Sequence, residues 1–284
     1  MGVETALLVI GSALVHALWN AILKRTRSPE DAVIGMMVVC ASTAAVLALA
    51  FRTSLPGGAA LGWCFASGLL EAFYFVTLAR ALARAPLGPV YTTVRGGALV
   101  VVWPVSIAFL GERPTLGIGA GTLLVVLGLV ATGAAETPRA AGDESLLRRL
   151  GWAMVCALFV GGYQVMYKLA LAAGGTPLAV NAISLSTACV ANLVVLGRAR
   201  GGRAWSAARA QPVRVFIAGV LGAVGFVVFL VAMQRAGAGA AVTLRNTSIL
   251  FAQVFAVAMG ERPKRLGVFG AALVTLGAVL LSRG

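Results

Sequence analysis

The stretch that decides the fold is VYTTVRGGALVVVWPVSIAFLGERP, residues 90–114, which returns in altered form as AVTLRNTSILFAQVFAVAMGERP, residues 241–263. Each is an apolar run long enough to cross a hydrocarbon core, which takes about 20 helical residues. Each also carries an arginine, Arg95 or Arg245. These lie sixteen and fifteen residues ahead of the same tetrapeptide, Gly111-Glu112-Arg113-Pro114 and Gly260-Glu261-Arg262-Pro263. A guanidinium at membrane depth costs about 3 kcal/mol or more unless it faces a polar cavity or a counter-charge. Two of them in matching places ask for a function, and the duplication argues against accident.

Working outward, the whole chain reads as membrane-embedded. It is 284 residues long, 60% hydrophobic and only 11% charged, whereas a soluble globule is just under half apolar. Ten apolar runs are expected, over 4–23, 32–51, 60–82, 88–110, 115–134, 149–172, 177–196, 212–234, 239–259 and 266–282. They are continuous and rich in Leu, Val, Ala and Gly, unlike the ten-residue alternating strands of a membrane barrel, so the fold class is all-α. No room is left for a soluble domain. The first run has no basic leader or cleavage site and is read as a retained first helix. Cys40, Cys64, Cys156 and Cys189 fall in four different runs and read as packing residues.

A repeat divides the chain. Trp19-Asn20 with Lys24 matches Tyr163-Gln164 with Lys168 at the same spacing, Arg84-Ala85 matches Arg235-Ala236, and Gly88 matches Gly239. Two five-helix units are expected, residues 1–134 and 149–284, joined by a polar connection over 135–148. An odd number of spans per unit sends the second copy into the membrane from the opposite side. The expected architecture is therefore a pair of inverted repeats, with substrate bound near the midplane between them.

These features together resemble the EamA branch of the drug/metabolite transporter superfamily. The resemblance rests on His16, Ala17, Trp19 and Asn20 in the first run, on Val90-Tyr91 followed by Arg95-Gly96, and on Gly-Glu-Arg closing the fourth and ninth runs. It implies a secondary transporter or exporter of small metabolites, with the substrate left open. The sequence departs from the family pattern after Arg245, where Asn246 stands in place of an acidic residue.

Candidate substrate-binding residues are Arg95, Arg245, Asn20, Gln164, Tyr91, Tyr163 and Thr247. The arginines suit an anion, a carboxylate or phosphate, although a long side chain about 10 Å deep is near the limit of what snorkelling to the interface reaches. Thr92, Thr93, Thr243, Thr247 and Ser248 supply hydroxyls beside them, each of which has the alternative of bonding its own helix backbone. His16, Trp19, Asn20 and Leu23 share a helical face, with the interfacial aromatic belt as the other reading of Trp19. Glu71 is the one acid near the centre of a run and reads as a proton-coupling group or a counter-ion to the arginines. Its approximate repeat partner is Gly222, so the acid is not duplicated. Gly117 and Gly121, with Gly267 and Ala271, favour close helix contact, within the chain or in a dimer. Pro104 should kink the fourth helix, and Gly88-Pro89 is a hinge candidate.

Other classes fit poorly. The net charge of +14 lies mostly in short loops, where anionic headgroups attract it, so nucleic acid is not the expected partner. With one histidine there is no metal set or catalytic triad, and no Gly-x-x-x-x-Gly-Lys-Ser/Thr phosphate loop for ATP. No cofactor is expected. The remaining competitor is a flippase for a lipid-linked phosphate or sugar. The expected partners are a small-molecule substrate and membrane lipid, with the chain acting as a monomer or homodimer in a bacterial inner membrane. Sixteen of the 23 basic residues fall in the five loops on one side and five on the other, which places both termini outside, whereas the family resemblance implies both inside.

Overall fold

A computed structural model of the chain describes residues 1–82, 87–136, 150–258 and 264–283, and these are all-helical. In chain order the helices are α1 (Val3–Lys24), α2 (Pro29–Ala50), α3 (Gly58–Leu82), α4 (Leu87–Leu110), α5 (Leu116–Glu136), α6 (Gly151–Ala172), α7 (Pro177–Ala210), α8 (Pro212–Arg235), α9 (Ala238–Arg245), α10 (Ser248–Ala258) and α11 (Arg265–Arg283). Proline opens α2, α7 and α8, where its missing N–H and fixed φ cost a helix nothing. Thr176 caps α7 by accepting the N–H of Ala179.

Eight of these helices, α1 to α8, are long and apolar enough to cross a membrane. Their outer faces are studded with exposed Leu, Val and Phe, such as Leu49, Phe109 and Leu116, a surface that only lipid can cover without large cost. The polar connection at 135–148 lies almost wholly outside the described residues, as does the second Gly-Glu-Arg-Pro motif.

Two of the expected runs differ from their sequence reading. The seventh, expected to end at residue 196, runs on as helix to Ala210. Alanine and arginine are strong helix formers, and Arg209 stacks on Trp205 at 4.5 Å, so the basic segment expected as a loop continues the helix until Pro212. The ninth, expected as one helix over 239–259, is divided at Asn246-Thr247 into α9 and α10. Around the break the backbone bonds tighten to a three-residue reach: Asn246 N–H to Thr243 O, Thr247 N–H to Leu244 O, Ile249 N–H to Asn246 O and Leu250 N–H to Thr247 O. A 3₁₀ step inside an apolar run orients side chains differently from a continuous α-helix, and such steps often mark functional hinges.

The packing links the two halves throughout. α1 lies on α8, and α3 on α6. α4 lies on α6, and α10 with α9 on α1. α2 meets α8, and α7 meets α3, while α2 pairs with α7 and α5 with α11. The last pair shows why glycine is placed where it is. A Cβ on Gly128 would sit 2.6 Å from Gly270 O, and one on Gly277 would sit 2.6 Å from Gly121 O, so backbone touches backbone. Gly121 thus serves contact within the chain; the tightest approaches on α11 are at Gly270 and Gly277, while a Cβ on Gly267 would lie an ordinary 3.7 Å from Ala135.

Candidate substrate site

The break between α9 and α10 concentrates polar groups that the fold leaves unsatisfied. Arg245, Asn246, Thr247 and Ser248 are consecutive and at most 3% exposed. In each a buried side-chain atom has no hydrogen-bond partner: Nε of Arg245, Nδ2 of Asn246, and the hydroxyls of Thr247 and Ser248. Leaving a buried polar atom unpaired costs about 1–3 kcal/mol, so four in sequence are not what a purely structural segment would contain. Asn246 and Thr247 lie where the helix gives up its regular ladder, which explains why these side chains do not bond back to their own backbone. Thr243, one turn earlier, does: its hydroxyl donates to Gly239 O at 2.7 Å and accepts Trp103 Nε1–H at 3.2 Å.

Among the described residues Arg245 has no counter-ion: it forms neither a salt bridge nor a hydrogen bond, and its guanidinium lies over Phe229 at 3.9 Å and Phe226 at 4.4 Å. Ring faces attract a cation without neutralising it, so the charge remains available to an anion. The place at the end of α9 adds the partial negative charge of a helix C-terminus, a second modest stabiliser.

Arg95 comes to the same region from α4, half-buried, and its Nη2 lies 2.8 Å from His16 Nε2 on α1. An arginine only donates, so His16 Nε2 accepts and the ring proton sits on Nδ1. That Nδ1 is buried with no partner. His16 is close enough to both Arg95 and Arg245 to interact electrostatically. It is therefore a fifth unpaired donor facing the same positive region, and it stacks edge-on against Trp19.

Glu71, on α3, is 2% exposed and accepts the Tyr167 hydroxyl at 2.7 Å. It forms no salt bridge with Arg95 or Arg245, although Arg245 interacts with it electrostatically. Aromatic rings stand between them: Tyr167 lies edge-on to Phe226 at 6.2 Å, and Phe226 underlies Arg245. Tyr163 packs beside Tyr167 and Tyr74, within the fields of Glu71, Arg95 and Arg245. Acid and base thus lie in one buried region, linked through the rings of Tyr167 and Phe226.

The amides are less committed to this region. Asn20 Nδ2 donates to His16 O and Gln164 Nε2 to Val160 O, each to its own helix one turn back. Tyr91 lies in α4, but its side chain and that of Thr92 are outside the described residues. Phe226 and Phe229 were not legible as site residues, since phenylalanine in a span reads as packing or lipid contact. A crevice lined by Leu47, Phe51, Pro177, Val224, Val227 and Val231 lies apart from this cluster, and its apolar walls offer an anion nothing.

The described residues hold no cluster of three or more His, Cys, Asp or Glu able to take a metal ion. Comparison with other proteins agrees with the architecture. No curated protein matches the chain. A solved crystal structure of another protein superposes with a TM-score of 0.75 at 20% sequence identity, over 98% of this chain and 98% of that one, which establishes a shared fold. The profile of the EamA-like transporter family matches residues 148–283. The profile assigns residues 148–283 of this multi-pass helical chain to the EamA-like transporters of the drug/metabolite transporter superfamily.

Proposed function

We propose that this protein is a secondary transporter of small metabolites bearing a carboxylate or phosphate, working by alternating access between two inverted five-helix repeats in a bacterial inner membrane. In this reading α9 and α10 together form the ninth of ten spans and α11 the tenth. The helix packing supports the repeat. Exchanging α1 with α6, α2 with α7, α3 with α8, α4 with α9–α10 and α5 with α11 turns each inter-half contact described above into another of the same set, which is how a two-fold relation between repeats would appear.

The observation that carries the substrate class is the run Arg245-Asn246-Thr247-Ser248, an unneutralised guanidinium followed by three unpaired polar groups, all buried. With Arg95 and the Nδ1–H of His16, the region is rich in donors and positive, so it selects a group with several acceptor oxygens and negative charge. Binding the anion satisfies donors that otherwise bear a desolvation cost. Glu71, which accepts the Tyr167 hydroxyl, would carry the proton that couples transport, because a buried acid near opposed charges exchanges a proton as their occupancy changes.

The test is a thermal-shift screen of the detergent-purified protein against carboxylates, sugar phosphates, their neutral analogues and a lipid-linked phosphate. Ligand that binds only the folded form stabilises it by RT ln(1 + [L]/Kd). Acids or phosphates should raise the melting temperature and neutral analogues should not, with the effect lost in Arg245→Met. Stabilisation by the lipid-linked phosphate alone would favour a flippase, and stabilisation by neutral compounds alone would overturn the anion reading.

A further inference from the structure

The first Gly-Glu-Arg-Pro motif takes no part in the substrate site, yet its glutamate reaches across to the other half. Gly111 adopts φ 66°, and Glu112 N–H donates back six residues to Ser106 O at 3.1 Å. This is the glycine-dependent reversal that ends a helix, and it explains the glycine of the motif. The turn delivers the Glu112 carboxylate to the first turn of α9. There Oε1 accepts the N–H of Ala238 and Oε2 that of Gly239 at 3.2 Å. The first amides of a helix lack partners within it and lie at the positive end of its dipole, so a carboxylate is their natural cap. Here the cap of a second-half helix comes from the first half.

The seat is shaped for it. A Cβ on Gly237 would collide with the Glu112 carboxylate, and one on Gly239 would lie 2.7 Å from the Trp103 ring. Trp103 supplies a second link from α4 through its bond to Thr243. Lys168 on α6 fixes the corner behind the seat, its Nζ donating to Met233 O at 2.7 Å and Ala236 O at 2.6 Å, at the end of α8. Toward the opposite end the arrangement differs: among the described residues α4 packs on α9, and no comparable packing joins α4 to α10.

We propose that Glu112 is the latch of a gate, positioning α9 against α4 on the membrane face where the chain's N-terminus lies, and that this face opens only when its carboxylate leaves the amides of Ala238 and Gly239. The inference rests on the alternating-access reading above. In it, Glu112 of the first motif closes the seam and the arginines serve the substrate, so the two features have separate tasks.

Spin labels on Arg113→Cys and Gln234→Cys, both exposed and on opposite halves, report the width of this seam by pulsed distance measurement without any substrate. Glu112→Gln keeps the shape but puts an amide where the charge was, and Gly237→Ala fills the seat from the other wall. Each should raise the ratio of long to short distances about tenfold, the effect of losing one charge-assisted contact. Gly119→Ala, on α5 where the added Cβ meets nothing within 4 Å, should leave the distances as in the parent. Two folded variants with the parent's distribution would overturn the latch. If the parent populates both distances while the variants keep its ratio, the halves move and the latch alone is wrong. If no variant ever leaves the short distance, the latch falls together with alternating access. Should Glu112→Gln fail to fold, Gly237→Ala reads the same seam independently.

Discussion

Replacing Arg245 with methionine should stabilise the protein while abolishing its transport. A guanidinium deep in a helical span costs about 3 kcal/mol relative to apolar side chains. Its contacts over Phe226 at 4.4 Å and Phe229 at 3.9 Å return about 0.5–1 kcal/mol for each ring at ordinary cation–π strength. No carboxylate neutralises it among the described residues, and its Nε is buried without a partner. About 1–2 kcal/mol of uncompensated cost remains, which methionine, unbranched and tolerant of irregular space, would relieve. At about 2–4 °C per kcal/mol for a chain somewhat smaller than this one, the melting temperature should rise by roughly 2–8 °C. The assay is thermal unfolding in detergent alongside uptake in proteoliposomes. A fall in melting temperature would refute the reasoning, since it would mean that Arg245 anchors the fold and is not held in reserve for a ligand.

Three further outcomes follow from the same geometry. Glu71→Gln should keep the Tyr167 hydrogen bond and melt close to the parent, lose gradient-driven accumulation and retain exchange between two loaded sides. A large drop in melting temperature would instead identify Glu71 as a counter-ion for the arginines. Gly128→Ala should destabilise by about 1–3 kcal/mol, because its Cβ would press on Gly270 O and Val274, whereas Gly119→Ala on the same helix meets nothing within 4 Å and should gain up to about 1 kcal/mol of helix propensity. Equal effects at the two positions, read by thermal unfolding, would contradict the α5–α11 register. Lys168→Met should lower stability by about 2–3 kcal/mol through loss of two charge-assisted bonds to the end of α8, and chemical unfolding that leaves the midpoint unchanged would contradict it.

What the sequence made legible and what it concealed divide along physical lines. Spans are long-range averages of hydrophobicity, so α1 to α6 and α8 lie close to their expected limits. The matched arginines stood out because charge at membrane depth is costly wherever it occurs. The extension of α7 was concealed because arginine-rich segments are equally compatible with a loop and a solvated helix. The break at Asn246-Thr247 was concealed because the apolar run continues across it, although Asn246 beside Arg245 is a weak helix former at that point. The partner of Arg95, His16, comes from 79 residues away, a distance that only packing closes. Glu112 had a usable signal: a duplicated acid after a duplicated glycine, with Gly239 where the receiving helix begins. Reading it required knowing that the end of α4 and the start of α9 share a face.

The central claim is that the buried donors at the α9–α10 break hold an anionic group during transport. Counterflow in proteoliposomes, preloaded with the acid or phosphate that gives the largest thermal shift, measures this without a coupling gradient. The parent should exchange labelled for unlabelled substrate, Arg245→Met should not, and Arg245→Lys should exchange slowly, because an ammonium lacks the planar fork of a guanidinium. Counterflow at the parent's rate in Arg245→Met would contradict the account, whatever its stability.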